Sequence, residues 1–239
     1  MAAELTPRDI FLAPHLATAD AAAFLEGFHL REGAAADAHL QQLAEDLTTR
    51  LALANLAGML FDALATTPDP DAALLGFCRY AAERTPRAAF IGNLQADPRM
   101  LDILTQLLGT SPFLSEILIR DPEYLHWLRR ELDGPPPDRT AYDAEVDRRL
   151  DATQSVENQV DALKRLQRRE MLRIAARDLF GMLDRETLTT TTTQLSHLAD
   201  ALVDGVLRVA AAENIARHGP LPGRFAVIGM GKLGGIDLN

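Results

Sequence analysis

Leu40, Leu43, Leu47 and Leu51 recur at steps of three and four residues, and Leu56, Leu60 and Leu64 continue the stripe after a small phase shift. That spacing describes one face of an α-helix. The interval is rich in alanine, which gives up no side-chain entropy on entering a helix. Further on, Asp69 is predicted to cap a helix, with Pro70 at its first position and Asp71 in its first turn, running through "AALLGFCRYAAER". Leu101, Leu104 and Leu108 predict a short helix that Gly109 ends in the left-handed conformation. Ser111 and Asp121 are each followed by proline, which predicts N-caps for two short helices meeting at a corner.

The helical pattern breaks at "DGPPPDR", Asp133 to Arg139, where consecutive prolines favour an extended spacer without internal hydrogen bonds. This predicts a helical region over 1–134, a Pro-rich linker over 135–139 and a second helical region over 140–219. The second region contains a long basic helix from about Val156 to Met182, and the threonines from Thr189 to Thr193 lead into its last helix. There Thr191 and Gln194 have capping-box spacing, and Leu195, Leu198, Leu202, Val206 and Val209 form an apolar stripe. "HGPLPG", His218 to Gly223, ends that helix. Only then does a short run, Phe225 to Gly229, become apolar on both faces, as a strand of a buried sheet would be. The expected fold is mainly α: a multi-helix N-terminal region, then over 224–239 the first strand and glycine turn of an incomplete α/β domain.

Composition narrows the setting. Of 239 residues, 47% are hydrophobic, which fits a globular chain and excludes a disordered one. A formal net charge of −10 sets the overall field against nucleic acid and anionic membranes, so neither is an expected partner. Cys78 is the single cysteine, which rules out a disulfide framework within the chain and suits a reducing, cytoplasmic setting. The N-terminal "MAAELTPRDI" lacks the apolar stretch of a secretory signal, and no apolar run is long enough to span a bilayer.

Two features could carry chemistry. Gly229, Gly231 and Gly234 fit the G-x-G-x-x-G pattern behind the predicted strand, where glycines let a backbone approach phosphate closely. The pattern alone leaves three readings open: a dinucleotide site, a tight turn without ligand, or a phosphate cradle. Lys232 favours the last, because it adds a point charge among the glycines. Arg165, Arg169, Arg173 and Arg177 recur every four residues along one helix face, widened by Lys164 and Arg168. They read either as contacts to phosphate or an acidic partner, or as a solvated face paired with Glu170 and Asp178. No two of the six histidines are spaced to share a metal on a helix, and Ser111 and Ser115 read as cap and surface residues. Tyr124 and Trp127 read as corner anchors.

"FAVIGMGKLGGIDLN", Phe225 to Asn239, resembles the start of the nucleotidyltransferase domain of bacterial glutamine synthetase adenylyltransferases. In that family an apolar strand leads to GMGKLGG, a variable residue, Glu-Leu-Asn and a Ser-Asp-x-Asp-Leu strand. "SPFLSEILIRDPEYLHWL" (111–128), "LKRLQRREMLRIAARDLFGMLD" (163–184) and "LSHLADALVDGVL" (195–207) resemble the family's preceding helical segments. The resemblance covers roughly residues 85–239. It implies a polymerase-β-type enzyme with a nucleotide held at Gly229, Gly231, Lys232, Gly234 and Gly235. It also implies Mg²⁺ as cofactor, ATP and glutamine synthetase as substrates, and the nitrogen-signalling PII protein as a partner. The family attaches AMP to a tyrosine of glutamine synthetase, and a second copy of the domain removes it by phosphorolysis. Leu238-Asn239 and the N-terminal position resemble the removing copy. The family's metal-binding Asp-x-Asp lies beyond Asn239, and Asp237 matches the glutamate before Leu-Asn. No catalytic or metal residue is therefore assigned within the chain, and the 239 residues by themselves are expected to be inactive. The alternative is a non-catalytic helical module that docks a partner through Arg165, Arg169, Arg173 and Arg177.

Overall fold

The structure, a computed structural model, describes residues 5–13, 16–181, 189–220, 222–223, 225–231 and 234. These fall into two compact units, 1–131 and 132–239.

The first unit contains α1 (Asp9–Leu12), α2 (Thr18–Glu26), α3 (Gly33–Leu43), α4 (Leu47–Ala65), α5 (Pro70–Ala82), α6 (Arg87–Ala96), α7 (Pro98–Thr110), α8 (Pro112–Arg120) and α9 (Glu123–Glu131). Three aspartates set the starts of its longer helices. Asp46 accepts from the Thr49 N–H at 2.8 Å, Asp69 from Ala72 at 3.1 Å and Asp97 from Met100 at 3.2 Å. Each satisfies an N–H that the first turn leaves without a partner, worth about 1 kcal/mol. Pro70, Pro98 and Pro112 follow their caps directly, where the missing N–H costs nothing. The core is leucine-rich, with Leu53, Leu56, Leu60, Phe61, Leu64, Phe77, Leu104 and Leu107 almost fully buried. Tyr80 pins α5 by donating its hydroxyl to the Pro122 carbonyl at 2.7 Å, at the corner between α8 and α9.

Three expectations are corrected in this unit. The stripe from Leu40 to Leu51 is not one helix face: the helix stops at Leu43, and Asp46 caps a new one at Leu47. Leu47 and Leu51 then point outward, 70% and 46% exposed. Gly109 does not end α7, which continues to Thr110. It is buried because a Cβ there would lie 2.8 Å from the Thr67 Cβ; the glycine lets α7 close on that turn. The helix expected behind Asp121 starts at Glu123, leaving Pro122 outside it.

The second unit contains α10 (Arg139–Asp151), α11 (Val156–Leu179) and α12 (Thr189–His218). Ion pairs fix their directions. Arg139 meets Asp200 at 3.2 Å and Arg208 meets Asp147 at 2.5 Å, so α10 and α12 run parallel. Thr191 donates to Asp178 at 3.4 Å near one end, while Gly205 lies against Leu163 near the other, so α11 runs antiparallel to α12. The three helices enclose Tyr142, Val146, Leu150, Leu163, Leu166, Ile174, Leu198, Ala201 and Val209. Gly205 marks the closest approach: a Cβ there would be 2.8 Å from Val146 Cγ1 and 3.3 Å from a Leu163 methyl.

Here too the sequence reading needs correction. The threonine run is not a lead-in but the first turns of α12, and Gln194 is buried within it instead of closing a capping box. Val206, expected in the apolar stripe, is 49% exposed on the opposite face. The long helix α11 stops at Leu179, and Gly181 follows with φ +66°, the left-handed position beyond a helix end. Met182, placed in that helix by the sequence, lies outside the described residues. Among the described residues no strand forms. Phe225 to Met230 run without helix or ladder: a strand exists only when a neighbour pairs with its N–H and C=O groups, and among the described residues none does. Every regular element among the described residues is a helix.

Candidate functional site

The glycine turn sits behind α12. Phe225, Val227, Ile228 and Met230 are 74%, 52%, 83% and 84% exposed, an apolar run open to solvent. Behind Phe225 a cleft of about 350 Å³ separates Pro222 and Gly223 from Leu207, Ala210, Ala211 and Asn214 on α12. Two of the glycines have a steric reason to be glycine. Gly231 has φ +62°, which side-chain-bearing residues adopt at a cost of roughly 1–2 kcal/mol. Gly234 folds back so closely that a Cβ would lie 2.5 Å from the Gly229 carbonyl oxygen. The backbone at Gly234 therefore packs directly against that at Gly229. Lys232 and Gly235, the other residues expected to hold nucleotide, lie outside the described residues, as does Asp237. Among the described residues no group of three His, Cys, Asp or Glu side chains could hold a metal ion.

The four arginines of α11 do not share one environment. Arg165 is exposed. Arg169 is partly buried and reaches Glu145 on α10 at 3.1 Å and its neighbour Glu170 at 2.8 Å. Arg173 and Arg177 are only 8% and 3% exposed. Arg173 pairs with Glu170 and donates to the Tyr142 hydroxyl at 3.5 Å, while Arg177 donates to the Gly134 carbonyl. Burial, and then the nearby charge of Arg173, lower the Arg177 pKa. Burial, and then the Glu170 carboxylate, raise that of Tyr142. Helix periodicity foretells that these arginines share a face, but here that face turns partly inward and joins α11 to α10 and to the start of the Pro-rich segment. Composition gave no sign of it, since arginine is seldom fully buried unless paired.

In the first unit a groove of about 490 Å³ follows α3 and α5, but its cation Arg31 is held by Asp69 at 3.6 Å and Asp71 at 3.4 Å. No helix among the described residues is long and apolar enough to cross a membrane.

The glycine turn and the basic helix lie within one matched stretch. The family model of glutamate-ammonia ligase adenylyltransferase matches residues 101–239. The chain belongs to this family. It is 35% identical to the bifunctional glutamine synthetase adenylyltransferase/adenylyl-removing enzyme of Mycolicibacterium smegmatis, over 75% of this chain and 18% of that one. Against the enzyme of the same name from Thioalkalivibrio sulfidiphilus it is 32% identical, over 87% of this chain and 22% of the other. The corresponding values for Stenotrophomonas maltophilia are 36%, 75% and 19%. The chain thus spans about a fifth of the length of these adenylyltransferase relatives.

Proposed function

We propose that this chain is the part of a glutamine synthetase adenylyltransferase/adenylyl-removing enzyme that leads into one nucleotidyltransferase domain, acting in the cytoplasm. The turn holds a nucleotide's phosphates. Gly229, Gly231, Gly234 and Gly235 allow the backbone N–H groups to approach, and Lys232 supplies the charge. The observation that carries this reading is the closure of Gly234 onto Gly229 within a stretch matched by the family. The protein substrate is glutamine synthetase, the enzyme named for the relatives. ATP, PII and Mg²⁺ follow from the resemblance.

Mg²⁺ would neutralise charge on the attacking and leaving oxygens of AMP transfer. The described residues offer it no ligand set, so no step is assigned to it here. What these residues would contribute is positioning: backbone N–H groups of the glycine turn brought up to phosphate. On the same reading, residues 1–239 alone do not transfer AMP.

The test is a chimera in which this chain replaces the corresponding segment of the Mycolicibacterium smegmatis enzyme. AMP attachment to, or removal from, glutamine synthetase is expected to persist, and Gly231→Ala is expected to lower it about tenfold or more through the cost of a positive φ. A folded chimera active in both directions at full rate with Gly231→Ala would contradict the role of the turn. A folded but inactive chimera would contradict the family function.

A further inference from the structure

The buried positions of α12 change character along its length. Before Leu198 they are Gln194 and Ser196, whereas from Leu198 onward they are Leu198, Ala201, Gly205 and Val209. Gln194 is 3% exposed and Ser196 2%. Neither end of the Gln194 amide has a hydrogen-bond partner, and neither has the Ser196 hydroxyl. Two steps along a helix of about 3.6 residues per turn put these side chains on nearly opposite sides, so no single neighbour serves both. A polar group buried in this way loses its bonds to water and gains none in exchange.

The turns around them are weakly built. Thr189 to Thr193 are β-branched residues in succession, which lose side-chain freedom in a helix. Thr191 donates to Asp178 on α11 at 3.4 Å, near the limit of a hydrogen bond, and Thr192 turns back to the Thr189 carbonyl. Leu195 packs against the apolar cluster of the unit but is only partly buried. Beyond it the helix is held differently. Leu198, Ala201 and Val209 belong to that cluster, and Gly205 lies against Val146 and Leu163. Asp200 and Arg208 pair with Arg139 and Asp147 of α10.

We infer that α12 is a helix in two parts, whose start, Thr189 to His197, opens as a unit while the part from Leu198 onward stays docked on α10 and α11. Opening returns the Gln194 amide and the Ser196 hydroxyl to water and gives up little apolar burial. It therefore needs far less free energy than unfolding the three-helix unit. Both ion pairs to α10 lie beyond the opening segment, so the rest of α12 keeps its place.

The experiment is amide hydrogen exchange, read residue by residue by NMR on the full 239-residue chain. Each helical N–H bonds to the carbonyl four residues earlier, so the amides of Thr193 to Ala201 report on the carbonyls of Thr189 to His197. These amides should share one opening equilibrium and exchange about tenfold or more faster than those of Leu202 to Val209. Low urea should barely change the first set and should accelerate the second as the unit unfolds. Gln194→Leu/Ser196→Ala removes the unpartnered groups, and should slow the first set about tenfold or more while circular dichroism shows the helix content kept. Should that variant not fold, Gln194→Met, closer in shape, carries the same expectation. Equal protection of the two sets would overturn the proposal, since the amide would then be satisfied within the closed helix. Rates that fall off steadily from Thr193, in place of one shared opening, would mean ordinary end fraying and overturn it too. So would a folded variant that exchanges as fast as the wild type.

Discussion

Burial raises the Cys78 thiol to a pKa of about 12, so at pH 8 its thiolate is a minute fraction. The folded chain should react with a thiol-directed dye no faster than it unfolds; prompt labelling at pH 8 without denaturant would contradict the packing around α5. Asp46 behaves oppositely. Hydrogen bonds from Thr49 hold its carboxyl below the ordinary value, so the cap is fully present above about pH 4 and is lost as pH falls through the lowered value. Asp46→Asn should keep the cap while removing that acid sensitivity, seen as a smaller loss of helix signal between pH 5 and 2. A steeper acid loss in the variant would contradict the assignment. Asp69 was legible in the sequence because Pro70 marks the cap. Asp46 was not, because leucines on both sides of the break happen to stay near helical phase. The buried state of Arg173 and Arg177 was equally hidden: periodicity says which residues share a face, but only the packing of α10 on α11 says which way it turns.

At the scale of elements, close approaches decide what a helix tolerates. Gly205→Ala would place a methyl 2.8 Å from Val146 at the meeting of α10, α11 and α12. A loss of about 1–3 kcal/mol is expected in urea unfolding of the second unit, as in other overpacked cores. An unchanged midpoint would show that α12 shifts to make room. Gly58, where a Cβ meets nothing within 4 Å, is the control, and Gly58→Ala should be neutral or slightly stabilising. Helices were the readable part of this fold, since their hydrogen bonds close within the segment and leave a local period. The run Phe225 to Met230 shows the reverse. Its apolar, β-prone residues announce a strand, yet strand formation depends on a partner that local sequence does not contain. The glycines were legible as a pattern, and the structure adds why two of them are glycine: φ at Gly231 and the contact at Gly234.

At the scale of the whole molecule, the chain combines two helical units with a glycine turn and belongs to a family whose relatives, of whose length it covers about a fifth, are named for attaching and removing AMP. The proposal gives these residues positioning without the paired carboxylates that phosphoryl transfer requires. Binding of Mg-ATP by the isolated chain should accordingly be weak; micromolar affinity in calorimetry would mean that the turn alone suffices. The most direct measurement follows labelled AMP. Purified 1–239 is incubated with glutamine synthetase, Mg²⁺ and ATP, and separately with adenylylated glutamine synthetase and phosphate. The account predicts no transfer and no release above the enzyme-free blank, whereas AMP turnover by this chain alone would contradict it.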